Sequence, residues 1–283
     1  MSENKKNNHL DSGLYVVSTP IGNLSDITLR ALDVLKQSDY VLCEDTRHSL
    51  KLLNFYKIKK KLVSFHKFNE TKKCQEVFDD IEGGKIISLI SDAGTPLISD
   101  PGEFLIKLAR KKKIKVIPIP GPSAVTAAIS VAGFSSKFFF YGFLSKKTKE
   151  RIRELESLSK IDSSIVLYLP ARDLKKSLEE FKIYFENRMV FVAREITKLH
   201  ETYLSGTAEE LLENIGANDL KGEITVVISD KSADLENAED VNLVYEINLL
   251  INKMSSKDIV EYLAKKLKIS KKIIYQNILD LEK

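Results

Sequence analysis

Short apolar runs alternate with amphipathic stretches from residue 13 onward, and the two kinds of segment replace each other at a regular interval. Ile86, Ile87, Leu89 and Ile90 form a run with no polar face, the pattern of a strand covered on both sides in a parallel sheet. LYVVSTP (14–20), YVLCEDT (40–46), a short segment at 62–65 and the run Ile114, Val116, Ile117, Ile119 read the same way. Between them Ile27, Leu29, Leu32 and Leu35 repeat at helical spacing behind a cap at Ser25 or Asp26, and helices are predicted near 48–56 and 70–82. Strand and helix taking turns predict an α/β domain over 13–119, a largely parallel sheet with helices on its faces.

From Pro120 the rhythm loosens. A helix of small residues, AVTAAISVAG, is followed by strand-like FFFYGFL (138–144), SIVLYLPA (164–171), MVFVARE (189–195) and GEITVVISD (222–230). Helices are expected at 147–159, 173–183 and 207–215. Longer strands, less tightly interleaved, predict a second α/β domain over 120–230 with a mixed sheet, and the phenylalanines of 138–143 read as strand core. Residues 1–12 read as a disordered start and 231–240 as an acidic linker. Residues 241–283 hold three helical patterns, the second capped by Ser255 or Ser256 and the third by Ser270. A basic last helix after a turn at Lys268-Ile269 fits a helix-turn-helix; a small packing or dimerisation appendage fits equally well.

Composition narrows the class. With 283 residues, 43% hydrophobic and 30% charged, the chain matches an ordinary soluble globular protein. No apolar stretch approaches a membrane span, and the first residues lack the apolar core of a signal peptide. Cys43 and Cys74 have no metal-ligand spacing and read as reduced thiols of a cytoplasmic protein, with no metal expected. A net charge of +4 says little, but the lysines cluster: Lys57 with Lys59 to Lys61, Lys111 to Lys113, Lys146 to Arg153, and seven between Lys253 and Lys272. Such clusters decorate solvated helices or neutralise nucleic-acid phosphates.

No nucleophile elbow, HExxH, Walker A, CxxC or G-x-G-x-x-G pattern occurs, and His9, His48, His66 and His200 are scattered. Polar clusters stand instead at strand ends: Ser18-Thr19-Pro20 with Asn23 and Asp26; Glu44-Asp45-Thr46-Arg47; Ser91 to Asp100; Ser123; and Arg194-Glu195 with Lys198. Each alone is ordinary turn chemistry. Together they point to one crevice beyond the carboxyl ends of the strands, where open α/β sheets bind ligands. Glu44 to Arg47, lacking Gly and Pro, is the least turn-like of them.

STPIGNLSDITLRA (18–31), EDTR (44–47), SDAGTPLISDPG (91–102), IPGPSA (119–124), YGFL (141–144), REITKLHE (194–201) and GEITVVI (222–228) resemble, in order, the signature blocks of the tetrapyrrole methylase superfamily. They are most similar to its branch of 16S rRNA cytidine 2′-O-methyltransferases, whose members also carry a short helical C-terminal module. The resemblance implies S-adenosylmethionine as methyl donor, a donor cleft between two α/β domains, a homodimer, and a cytidine ribose in the decoding region of the small ribosomal subunit as target. It implies a donor loop of Ser91, Asp92, Ala93, Gly94, Thr95 and Ile98, contacts from Pro20, Ser123 and Ala124, an adenine site flanked by Leu169 and Ala193, and further contacts from Arg194 and Thr225. Glu44, Asp45 and Asp100 are then the candidate proton acceptors, with Arg47 and Arg194 orienting phosphate or carboxylates. Corrin-ring methylases carry G-x-G-P-G-D where this chain has Thr19-Pro20-Ile21-Gly22-Asn23, which favours RNA over a tetrapyrrole. A precorrin-type C-methyltransferase, a diphthamide-type protein methylase and a non-catalytic RNA-binding protein are the rival readings.

Overall fold

The computed structural model describes residues 9–66, 69–215, 221–231, 243, 246–251, 253–267 and 270–281. By its internal contacts the chain divides into two compact units, Met1–Ser229 and Asp230–Lys283. The expected acidic linker, all but its first residue, and residues 1–8 of the expected disordered start lie outside the described residues. From Leu10 the chain is held: the Leu10 N–H donates to Gln37 Oε1 at 3.2 Å, and Lys115 pairs with Asp11 at 2.6 Å.

The larger unit carries two sheets. The first is built from β1 (Gly13–Val17), β2 (Tyr40–Cys43), β3 (Lys61–Ser64), β4 (Ile86–Leu89) and β5 (Val116–Ile119), in the order β3-β2-β4-β1-β5. Every pairing is parallel. Successive residues of each strand enter opposite cores, as period-two geometry requires. Tyr15, Val17, Val41 and Cys43 pack with Ala31, Val34 and Leu35 of α1 (Leu29–Gln37) and Leu53 of α2 (Thr46–Phe55). Leu14, Leu42 and Ile87 pack with Cys74, Val77 and Phe78 of α3 (Glu70–Glu82) and Leu105 and Ala109 of α4 (Glu103–Lys111). Both faces are covered, which is why these strands read as unbroken apolar runs. β1 and β4 are neighbours whose onward connections leave in opposite directions, so their carboxyl ends open a switch-point crevice.

Local details depart from the sequence reading in three places. Thr28, not Ser25 or Asp26, caps α1, its hydroxyl accepting from the Ala31 N–H at 3.1 Å. The second strand stops at Cys43 because the Asp45 carboxylate accepts from the Arg47 N–H at 2.8 Å and starts α2 there. Helix α4 was not expected: its buried stripe is only Leu105 and Ala109, and its cap is Gly102 in the left-handed region (φ 116°) rather than a side-chain acceptor.

The second sheet contains β6 (Phe138–Phe143), β7 (Ser164–Pro170), β8 (Met189–Arg194), β9 (Thr202–Thr207) and β10 (Glu223–Ile228), in the order β6-β7-β10-β8-β9. Only β6 and β7 run parallel; the other pairings are antiparallel, giving the mixed sheet. Its helices α6 (Thr148–Leu158), α7 (Leu174–Tyr184) and α8 (Ala208–Asn214) cover one face. Arg151 lies buried between α6 and α7, bonded to Glu180 at 2.7 Å and Ser177 at 3.0 Å. The other face receives α5 (Ala124–Ala132), whose Val125, Ala128 and Ala132 lie against Val166, Phe191, Ala193 and Val227. Ile21, from the loop after β1, packs into that same cluster.

Two more corrections belong to this sheet. Strand β9 was not expected, because it is an edge strand whose residues 202–205 are all exposed and lack an apolar alternation. β6 is the opposite edge, so Phe138, Phe139 and Phe143 are exposed, while Phe140 packs edge-on against Tyr168.

The smaller unit has helical residues 246–250, α9 (Ser256–Leu267) and α10 (Lys271–Leu281). Leu243, Ile247, Ile259, Val260, Leu263, Ile274 and Ile278 form its core. The hydroxyls of Ser255 and Ser270 accept from the N–H groups of Asp258 and Ile273, capping α9 and α10. The expected turn at Lys268-Ile269 lies outside the described residues. No described helix is long and apolar enough to cross a membrane.

Candidate active site

Three loops leave the carboxyl end of the first sheet and are fastened together. Thr19 and Gly94 exchange backbone hydrogen bonds of 2.8 and 3.0 Å, joining the loops after β1 and β4. Thr95 Oγ1 donates to the Pro122 carbonyl at 3.2 Å and lies 3.0 Å from Ser18 Oγ, adding the loop after β5. Ser91, buried, donates its hydroxyl towards the carbonyls of Ala93 and Gly94. The loop so braced is bent hard: besides Gly94 at φ 77°, Leu97 (75°) and Ser99 (72°) are left-handed, a conformation that costs about 1–3 kcal/mol for a residue with a side chain. Such strain persists where surrounding bonds over-determine it, and binding loops are where it collects.

Beyond this knot lies a cavity of about 500 Å³, walled by both sheets of the larger unit. Glu44, Asp92, Ala93, Gly94, Thr95, Ile98 and Asp100 line it from the first sheet's loops; Ser123, Ala124, Leu169, Ala193 and Thr225 line it from α5 and the second sheet. Segments separated by up to 204 positions, Ile21 to Thr225, therefore meet at one void.

Five of the sequence candidates stand outside the lining. Pro20 is buried in the loop behind it. Ser91 braces the loop from within. Asp45 and Arg47 face each other, with Arg47 Nε and Nη2 donating to the Asp45 carboxylate at 3.2 and 3.0 Å. Arg194 Nε donates to the Lys221 carbonyl at 3.0 Å. The sequence reading passed over Ile21, Ser99, Phe143, Tyr168 and Glu223, which also line the cavity. Tyr168 carried a signal, a polar-tipped ring inside the apolar strand SIVLYLP; Ile21, Ser99, Phe143 and Glu223 stand inside the sequence blocks that carry the resemblance, without a chemical mark of their own.

The electrostatics of the wall separate the carboxylates. Asp100 is pushed up to about 6, chiefly by burial; the Ser91 hydroxyl pulls it back, and the charges of Glu44 and Asp92 push it further. Asp45 goes the other way, held down to about 2 by its hydrogen bonds to the Arg47 side chain and backbone. Tyr168 is raised to about 12 by burial and by the nearby Asp100 and Glu223 charges, so it stays protonated. Burial pushes Glu195 up, but the Lys198 ammonium at 2.8 Å and the Glu223 N–H hold it below the usual range. Among the lining residues five carboxylates (Glu44, Asp92, Asp100, Glu195, Glu223) face a single cation, Lys198.

A cavity of this size is in the usual range for small-ligand sites. Its acidic wall favours a cationic guest, its apolar patches at Ile98, Leu169 and Ala193 take a flat or aliphatic one, and Asp100 can accept a proton near neutral pH.

Known proteins resemble this chain in sequence and in fold. Residues 13–212 match the family model of the tetrapyrrole (corrin/porphyrin) methylases. The ribosomal RNA small subunit methyltransferase I of Mycoplasmopsis pulmonis is 47% identical over 78% of this chain and 99% of its own length. That of Thermotoga maritima is 44% identical over 77% and 98%, and that of a Synechocystis species 37% over 95% and 98%. Among solved structures, uroporphyrin-III-C-methyltransferase from Thermus thermophilus superposes with a TM-score of 0.52 at 18% identity, covering 76% of this chain and 94% of that one. A diphthine synthase does so with 0.58 at 15%, covering 76% and 89%. The structural matches speak for the fold, and the sequence matches carry the assignment further: the chain belongs to the tetrapyrrole methylase family, among its ribosomal RNA small subunit methyltransferase I proteins.

Proposed function

We propose that this protein transfers a methyl group from S-adenosylmethionine to the 2′-oxygen of a cytidine ribose in 16S rRNA of the small ribosomal subunit. The observation that carries this reading is the gathering of twelve of its candidate residues, from Glu44 to Thr225, around one cavity. The residues present fit the donor. Its ammonium and sulfonium charges suit a wall of five carboxylates, and its adenine suits Leu169 and Ala193. Gly94 lets the loop turn at φ 77°, where an added Cβ would come within 3.3 Å of Ile21 Cγ2, so the backbone can face the guest closely.

The donor supplies a methyl group on a positively charged sulfur, open to in-line displacement by a hydroxyl oxygen. The chain's part is to align, dry and deprotonate. Loop 91–98 with Ser123 and Ala124 holds the methionine and ribose end, and Thr225 lies on the same floor. Such positioning supplies up to about 7–11 kcal/mol of a barrier. Asp100 accepts the proton of the ribose hydroxyl at its carboxylate: lifted to about 6, it is ionised at neutral pH yet more basic than an ordinary aspartate. Glu44, on the same wall, is the alternative acceptor. Asp45 is too acidic and too engaged with Arg47 to serve. Arg47, its side chain 88% exposed beside Asp45, and Arg194 are the cations proposed to meet RNA phosphate. The exposed phenylalanines of β6 and the β9 edge offer apolar surface for a second copy, in keeping with a homodimer working in the cytoplasm.

The test is methyl transfer from labelled S-adenosylmethionine to small subunits lacking the modification, with the product nucleoside identified by mass spectrometry. A 2′-O-methylcytidine from the wild type and its loss in Asp100→Asn are expected. Methylation of a tetrapyrrole instead, or of neither substrate, would overturn the reading.

A further inference from the structure

The segment between β8 and β9, residues 195–201, is held more firmly than an ordinary surface loop. Glu195 (φ 53°) and Thr197 (φ 67°) are left-handed although neither is glycine. Lys198 Nζ bonds to Glu195 at 2.8 Å and to Glu223 at 2.9 Å, and the Lys198 N–H donates to the Glu195 carbonyl at 2.9 Å. The Thr197 N–H donates to Glu201, and Thr197 Oγ1 accepts from the Asn23 N–H at 3.0 Å, tying the segment to the loop after β1. Gly22 and Gly222 pack so closely under it that a Cβ on either would come within 2.5 Å of Lys198 or Glu195.

This clamped segment carries a side chain that hardly any of the described residues cover. Leu199 follows directly on Lys198, a lining residue of the cavity, and is 93% exposed, more than any other large hydrophobic among the described residues. His200 and Glu201 beside it are exposed too. An exposed leucine alone needs no explanation. An exposed leucine carried at the rim of the cavity on a strained, cross-braced support is a different matter, because the bracing on either side fixes where its backbone stands.

We infer that Leu199 is a substrate-positioning wedge: it enters the RNA strand beside the target nucleotide and fills the stacking place that the target vacates on entering the cavity. The inference rests on the proposed RNA reading. A cytidine whose ribose must reach the cavity has to leave its stack, and proteins that unstack bases insert apolar side chains such as leucine into the gap. The wedge is a positioning device and touches no reacting atom. One protruding side chain flanked by polar neighbours also suits insertion better than a subunit interface, which needs roughly 800 Å² on each partner.

The test compares wild type, Leu199→Ala, Leu199→Met and, as an exposed control on α7, Ile183→Ala. Three quantities are read: methyl transfer to small subunits, S-adenosylmethionine affinity by calorimetry, and molecular mass by sedimentation. The expected result for Leu199→Ala is a kcat/KM for subunits lower by about 10- to 100-fold, with donor affinity and mass unchanged. Leu199→Met, of similar reach, restores most of the rate, and Ile183→Ala keeps all of it. Full activity in Leu199→Ala would overturn the inference. So would a loss of mass or of donor affinity, which would make Leu199 a dimer or donor-site residue. Absence of transfer by the wild type would overturn the RNA reading itself, and the wedge with it.

Discussion

Thr95 Oγ1 stands 3.0 Å from Ser18 Oγ while donating to the Pro122 carbonyl, so one hydroxyl fastens the ends of β1, β4 and β5 beneath the cavity. Replacing Thr95 by valine keeps the shape and strands both partners, at a cost of about 1–3 kcal/mol, readable as a lower midpoint in denaturant. Thr95→Arg places a long cation in the cavity proposed to hold the donor. Calorimetric titration with S-adenosylmethionine is expected to show binding by the wild type and none by the arginine variant. Undiminished binding by Thr95→Arg would remove Thr95 from the donor site.

Asp100 ties stability to pH with a definite sign. Its pKa in the folded chain, about 6, lies above the ordinary 3.8, so its ionised form is disfavoured by folding. The destabilisation is fully present above about pH 6 and fades as the pH falls from there towards 3.8. Asp100→Asn should therefore raise the melting temperature at pH 7.5 and leave it nearly unchanged at pH 4. The same titration predicts an acid limb in the rate of methyl transfer with its midpoint near 6 in the wild type. A wild-type rate that is flat from pH 5 to 8 would rule Asp100 out as the proton acceptor.

At Gly22 the loop after β1 meets segment 195–201, and at Gly222 the start of β10 meets that same segment. A Cβ at Gly22 would fall 2.4 Å from Lys198 Cγ and 3.0 Å from the Ile196 carbonyl oxygen, and one at Gly222, already at φ 104°, 2.5 Å from Glu195 Cδ. The lysine end can move aside; the Ile196 backbone cannot. Gly22→Ala is expected to force segment 195–201 outward, lowering stability by about 1–3 kcal/mol and weakening donor binding together. Gly84→Ala is the contrasting control, since a Cβ there meets nothing within 4 Å and only its left-handed backbone (φ 96°) is strained. Equal donor affinity in the two variants would mean that the spacing between the cavity's two walls is not set at Gly22.

The sequence discloses the first sheet more readily than the second because strands buried on both faces leave a pattern of their own. Ile86, Ile87 and Leu89 need no context to be read, whereas Thr202–Thr207, exposed on an edge, offers no periodicity and was passed over. The bent loop after β4 is legible in Gly94 and its neighbours, since only special backbone turns call for Ser-Asp-Ala-Gly-Thr-Pro. The division of labour among the carboxylates is not legible. Asp45 and Asp100 look alike in sequence, and they differ because one has Arg47 against it while the other is buried near Glu44. Nor does sequence show that Leu199 is bare, because exposure is a property of what packs around a residue.

The C-terminal unit gives the remaining prediction. Its core, from Leu243 to Ile278, is built from its own residues, so removing 241–283 takes away a self-contained body. Its surface is lysine-rich: Lys266 and Lys271 are paired with Glu246 and Glu261, while Lys257, Lys265 and Lys272 are exposed. Lysines that neutralise phosphates release counterions, and each such contact steepens the fall of log affinity with log salt by roughly 0.7 to 0.9. If this unit grips ribosomal RNA, the truncated chain will bind the small subunit more weakly and with a shallower salt dependence. Its affinity for S-adenosylmethionine will stay at the wild-type value, because every residue lining the cavity lies before Asp230. A parallel loss of donor affinity would instead make the unit a structural support, and an unchanged salt slope would remove it from the RNA contact.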